Sequence, residues 1–120
     1  MKLLDHQLDK PSLSQFGEEA CQLLIARDFS GLAGRFGYAL HGNLDEASAI
    51  EMELQRCLAG QDFSSAEVES VTVRSFKPGD DLFRSLIECV VLFDKRARVL
   101  VELIVAKNMN LYLEEISEVA

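Results

Sequence analysis

Apolar and polar residues alternate almost without a break from Leu82 to Glu115. Phe83, Ile87, Cys89, Val91 and Phe93 share one side of a first strand, and Val99, Val101, Leu103 and Val105 one side of a second. Leu111 and Leu113 carry the stripe onto a third. Successive side chains of a strand point to opposite faces, so an apolar face this long must be covered by other parts of the chain.

The cover is written upstream, with a different period. Leu13, Phe16, Ala20, Leu23 and Leu24 repeat at helical spacing and predict a helix from Ser12 to Arg27, with Ser12 and Gln15 as a capping box. Asp28 caps a second element from Phe29 to Leu40, striped by Phe29, Leu32, Ala33, Phe36, Ala39 and Leu40. Gly31, Gly34 and Gly37 recur within it and are read as close backbone packing, which leaves Phe36–Leu40 open to helix or strand. Asn43 with Glu46 opens a third helix that buries Ala47, Ile50, Leu54, Cys57 and Leu58 and stops at Gly60.

A further strand runs from Glu67 to Phe76, with Val71 and Val73 on one side and Ser70, Thr72 and Arg74 on the other. Turns fall at Lys77–Asp81, Asp94–Ala97 and Asn108–Asn110. Residues 1–11 read as a loose arm or short pre-helix ending at Pro11. The expected fold is α+β: three N-terminal helices on one face of a curved, mainly antiparallel, four- to five-stranded sheet, cone-like in shape. Residues 12–120 form its single domain, a size at which folding buries enough surface for a core without staples.

Composition narrows the functions. No apolar run approaches the roughly 18 residues of a membrane helix, and the start of the chain breaks into charge too soon for a secretory signal, so the expected location is cytoplasmic without membrane contact. The net charge of −8 is even: five basic and nine acidic side chains in residues 1–60, seven and eleven in residues 61–120. An evenly acidic surface repels phosphate backbones, which argues against nucleic acid. The one basic cluster, Lys95-Arg96-Ala97-Arg98, sits at a turn and serves solvation. Cys21, Cys57 and Cys89 each fall on an apolar stripe and read as core thiols. With His6 and His41 the only histidines, no zinc signature can be written, and no cofactor is expected.

Three stretches together resemble the nuclear transport factor 2-like, or cystatin-like, superfamily. Ile25-Ala26-Arg27-Asp28-Phe29-Ser30-Gly31-Leu32 is similar to its first helix running into the second through an aspartate-started joint. Asn43 to Gly60 is similar to its third helix, and Val90 to Glu102 to its long central hairpin. The resemblance implies a fold, not an activity, because the superfamily hosts isomerases, dehydratases, hydrolases, cyclases and plain binding domains. Members resembling ketosteroid isomerase carry a carboxylate base and acidic or phenolic donors on the covered sheet face. Here that face offers Ser85, Cys89 and, at its far end, Glu115, so no catalytic role transfers.

A pocket at the mouth of the cone is expected to be lined by Tyr38, His41, Phe36, Ser85 and Cys89. Tyr38 and His41 are the candidates for an acid–base pair, with Glu53 or Asp62 as helpers. The opposite sheet face mixes Arg84, Glu88, Arg98, Glu102 and Glu114 with Leu82, Leu86, Val90, Leu92, Leu100, Ile104, Tyr112 and Ile116. Its charges read as cross-strand ion pairs. So mixed a face predicts a partner, and the resemblance, whose members commonly dimerise through this face, implies a homodimer through Leu86, Glu88, Val90, Leu100, Glu102, Ile104 and Tyr112. The functional expectation is a domain that binds a small apolar ligand or a protein partner without catalysis. The alternatives are an isomerase-, dehydratase- or hydrolase-like enzyme, and an acidic immunity or inhibitor protein for a basic toxin.

Overall fold

The computed structural model describes residues 1–77 and 83–119; most of the Lys77–Asp81 turn, and Leu82, lie outside them. Three helices, α1 (Lys10–Ile25), α2 (Phe29–Phe36) and α3 (Glu46–Cys57), precede four strands. The strands, β1 (Ala66–Ser75), β2 (Phe83–Phe93), β3 (Ala97–Ala106) and β4 (Leu111–Glu118), form one antiparallel sheet in the order β1-β2-β3-β4. The α+β class read from the sequence is the class observed.

Helix boundaries follow aspartate caps. α1 begins two residues before the expected Ser12, because Asp9 is its cap and accepts from the Ser12 backbone N–H at 3.4 Å. Pro11 fits the first turn, where its missing N–H goes unneeded. The helix ends at Ile25, two residues short of the expected Arg27, whose φ of 58° is left-handed. Asp28 then caps α2 by accepting from Gly31 at 2.9 Å. α2 stops at Phe36, short of the expected Leu40, because Gly37 turns to φ 75°. α3 is capped by Asp45, not Asn43: Asp45 takes the Ser48 N–H at 2.9 Å. Glu46, expected to serve that cap, instead accepts from the Tyr38 backbone N–H.

Close packing accounts for Gly17 and, against the Asp28 and Glu46 carboxylates, for Gly31 and Gly37, but not for Gly34. A Cβ on Gly17 would stand 2.8 Å from Ile87 Cγ2 and 2.9 Å from Cys89 Sγ, so α1 rests directly on the sheet. A Cβ on Gly34 meets nothing within 4 Å. Leu13, Leu24, Leu32 and Ile50 from the helices and Ile87, Val101, Leu103 and Leu113 from the sheet are fully buried between the layers. Burial of side chains of this size stabilises by about 1.5–3 kcal/mol each.

The sheet has three register shifts, at Val68/Ser70, Phe83/Ser85 and Glu102/Leu103. The last two correct the sequence reading: Phe83, expected on the covered face, pairs with Ala106 and falls on the outer one. Glu102 pairs with Glu115 while Leu103 pairs with Leu113, so Glu114 is an extra residue and the alternation of β4 flips beyond it. Ile116, expected on the outer face, is opposite Val101 and buried; Glu115, expected on the covered face, is on the outer one.

The margin of β4 is closed by the chain itself. The first residues, expected as a loose arm or short pre-helix, are docked there ahead of a 3-10 turn at Asp5–Gln7: the Met1 ammonium donates to Leu111 O (2.8 Å), and Leu111 N returns a bond to Met1 O (2.7 Å). Leu3 is buried, and its N–H donates to Met109 O at 2.9 Å. Farther along, Tyr38 forms a parallel bridge to Leu113, and Ala39 N donates to Leu113 O at 3.0 Å. Residues 36–40 are thus helix end, bridge and turn, not a full strand.

Candidate functional site

The expected pocket residues sit in different surroundings. Phe36 closes α2 inside the core, and Tyr38 next to it is 3% exposed. Burial, reinforced by the nearby charge of Glu53, pushes the Tyr38 phenol up to about 12, so it holds its proton at neutral pH. His41 is exposed in the following turn, with Nδ1 3.1 Å from Leu44 O.

Ser85 and Cys89 occupy rungs of the covered face on either side of the Ile87–Leu103–Leu113 rung to which Tyr38 is attached at the far edge. Ser85 is buried and stands 3.5 Å from Ser75 at the Oγ atoms. The Cys89 thiol lies under Gly17. It also faces Cys21, whose thiol is pushed up by a hydrogen bond with Cys89 and by burial. Both are core thiols, as is buried Cys57. The proposed helpers are engaged elsewhere: Glu53 pairs with Arg56 at 2.7 Å, and Asp62 lies beside Arg27 at 4.0 Å.

The outer face carries the denser chemistry, and the register lays it out in rungs. One reads Arg74–Leu86–Ile104–Tyr112 and another Ser70–Val90–Leu100–Ser117. Leu86 and Ile104 are only 7% and 6% exposed, while Val90, Leu92, Leu100 and Tyr112 are half-buried. Between those two rungs runs Thr72–Glu88–Glu102–Glu115, three carboxylates side by side on three adjacent strands.

The ion pairs on this face reach across strands, and β1 supplies a partner to each. Glu88 is bound by Arg74 at 2.8 Å, and Arg98 reaches Glu69 on the margin of the sheet at 2.8 Å. Glu102 has no cation partner among the described residues. Partial burial raises its carboxyl above the ordinary range, and the charges of Glu115, Glu88 and Glu114 push the same way. Tyr112 beside it is likewise raised by burial and by Glu114.

The bulge is what completes this row, and its trace is in the sequence. After Leu111 and Leu113 the next apolar residue is Ile116, three positions on instead of two, with Glu114-Glu115 between. An extra polar residue in an alternating strand signals a bulge. Among the described residues, no group of three or more His, Cys, Asp or Glu is arranged to hold a metal ion, and no helix is long and apolar enough to cross a membrane. No family model matches the chain, and neither a curated protein nor a solved structure does.

Proposed function

We propose that this chain is a non-catalytic protein-binding domain of the nuclear transport factor 2-like kind, working through the outer face of its sheet. The observation that carries the reading is the Glu88–Glu102–Glu115 row. Like charges set directly opposite on adjacent strands cost stability, and half-buried Glu102 lacks the cation that Arg74 gives Glu88. A partner that brings lysine or arginine to this rung, flanked by apolar groups over Val90, Leu100 and Tyr112, removes the repulsion and covers the neighbouring rungs.

A second copy stacked face to face brings its own glutamate row to the same patch, so a basic protein suits the surface better. The overall charge of −8 would steer such a partner in. An enzyme reading is disfavoured by Tyr38 and His41: one is buried in the core, the other exposed in a turn. The test compares capture of basic proteins from the native host by the wild type and by the triple variant Glu88→Gln, Glu102→Gln, Glu115→Gln. The expected result is a partner retained by the wild type, released by salt and lost by the variant. Equal retention by both proteins refutes the proposal.

A further inference from the structure

The two margins of the sheet are unequal. That of β4 is occupied by Met1–Leu3 and Tyr38–Ala39, as described. Along β1, no described segment pairs with the side facing away from β2.

The hydrogen-bond phase of this margin follows from one bond. Phe76 N donates to Arg84 O at 2.9 Å, in register with the pairs Arg74↔Leu86, Thr72↔Glu88 and Ser70↔Val90. Residues of one antiparallel strand alternate between bonding the neighbour and facing away. Ser70, Thr72 and Arg74 therefore spend their backbone groups on β2, and the N–H and C=O of Val71, Val73 and Ser75 face outward. Val-Thr-Val favours extended backbone. Upstream, Glu67, Glu69 and the bulge at Val68/Ser70 blunt the margin, so the open stretch is confined to Val71–Ser75.

We propose that this margin is an interaction site for a second copy of the chain, whose β1 adds antiparallel about a two-fold axis at Val73. Only an extended strand offers donors and acceptors in that phase, and the segment is complementary to itself. With Val73 on the axis, Val71 meets the partner's Ser75 and Ser75 the partner's Val71, which engages all three outward-facing residues. About six backbone hydrogen bonds result, two from each bonded pair. No like charges oppose: Arg74 comes opposite the partner's Thr72, and the register carries Lys77 towards the partner's Glu69. An axis at Val71 would use fewer open groups and bring Glu69 opposite Val73. This inference is independent of the outer-face proposal, because edge pairing leaves that face uncovered and sets two glutamate rows on one continuous sheet.

Proline distinguishes the site. At Val73 or Ser75 it removes an outward N–H and leaves the bonds to β2 intact. Sedimentation velocity on the whole chain should give a concentration-dependent dimer. Val73→Pro and Ser75→Pro should each weaken it at least tenfold, with far-ultraviolet circular dichroism unchanged. Hydrogen exchange on the unmodified chain removes dependence on the variants: the Val71, Val73 and Ser75 amides should slow at least tenfold from dilute to concentrated solution, while those of Thr72 and Arg74 stay protected throughout. A dimer that survives both prolines, or amides indifferent to concentration, overturns the proposal. The triple glutamine variant should dimerise like the wild type; if it alone changes assembly, the contact is the outer face instead.

Discussion

Glu102 on β3 stands directly opposite Glu115 on β4, with Glu88 opposite it on the other side. The middle carboxylate has acidic cross-strand neighbours on both flanks and no cation of its own among the described residues.

Glu102→Gln should therefore stabilise the isolated chain at neutral pH, by about 0.5–1 kcal/mol, the scale of cross-strand charge pairs. The sign follows from linkage. The folded-state carboxyl is raised above its unfolded value, so ionisation opposes folding at neutral pH, and the cost fades as pH falls through the raised value. Urea melts of both proteins at pH 7 and pH 4 check this. A variant no more stable at pH 7, or an advantage undiminished at pH 4, contradicts it.

Two glycines should respond in opposite directions to alanine. At Gly17 the new methyl group meets Ile87, Cys89 and Val71, and overpacking of this kind costs about 1–3 kcal/mol. At Gly34 the site is open and exposed, and alanine should add up to about 1 kcal/mol through helix propensity and a less free unfolded chain. Thermal melts of the pair test whether α1 lies as close to the sheet as described.

The β2–β3 turn offers a third test. Asp94 and Lys95 both have left-handed backbone, at φ 51° and 58°, and Arg96 N closes the turn on Phe93 O at 3.1 Å. Such turns favour glycine at the second central position. Lys95→Gly should raise stability by about 0.5–1 kcal/mol, the left-handed cost to a residue with a Cβ less the entropy cost of glycine. An unchanged denaturant midpoint would refute the turn geometry.

Asp94 also fastens the turn to the start of β1. Its Oδ1 accepts from the backbone N–H groups of Ser64 (3.0 Å) and Ser65 (2.9 Å), and these bonds hold its carboxyl below the usual range. A depressed folded value means the stabilisation is present above the unfolded value and is lost as pH falls through the folded one. Asp94→Asn should lower the denaturant midpoint at pH 7 and converge on the wild type in strong acid. Parallel curves from pH 7 to pH 2 would contradict that linkage.

The periods of the chain made much of the fold legible before any coordinates. The alternation of β2 and β3 from Ile87 to Val105 and the stripes through Leu13, Leu24 and Ile50 point where the structure buries them, and Val71 and Val73 in β1 face the core half-buried. Caps were harder, because Asp9 and Ser12, or Asn43 and Asp45, offer the same chemistry a few residues apart; the choice falls to the residue whose carboxylate reaches the third N–H. The glutamate row was hidden for a sharper reason. One inserted residue, Glu114, reverses the facing of everything after it, and strict alternation cannot represent that unless the spacing from Leu113 to Ile116 is taken as a break.

The docking of Met1–Leu3 and Tyr38–Ala39 along β4 bears on more than local order. A bare strand at both flanks would let copy after copy join into an unending ribbon, the route by which exposed strands seed fibrils. With one flank sealed by the chain's own backbone, the strand addition proposed at the other would have nowhere to continue, and such an assembly would stop at two.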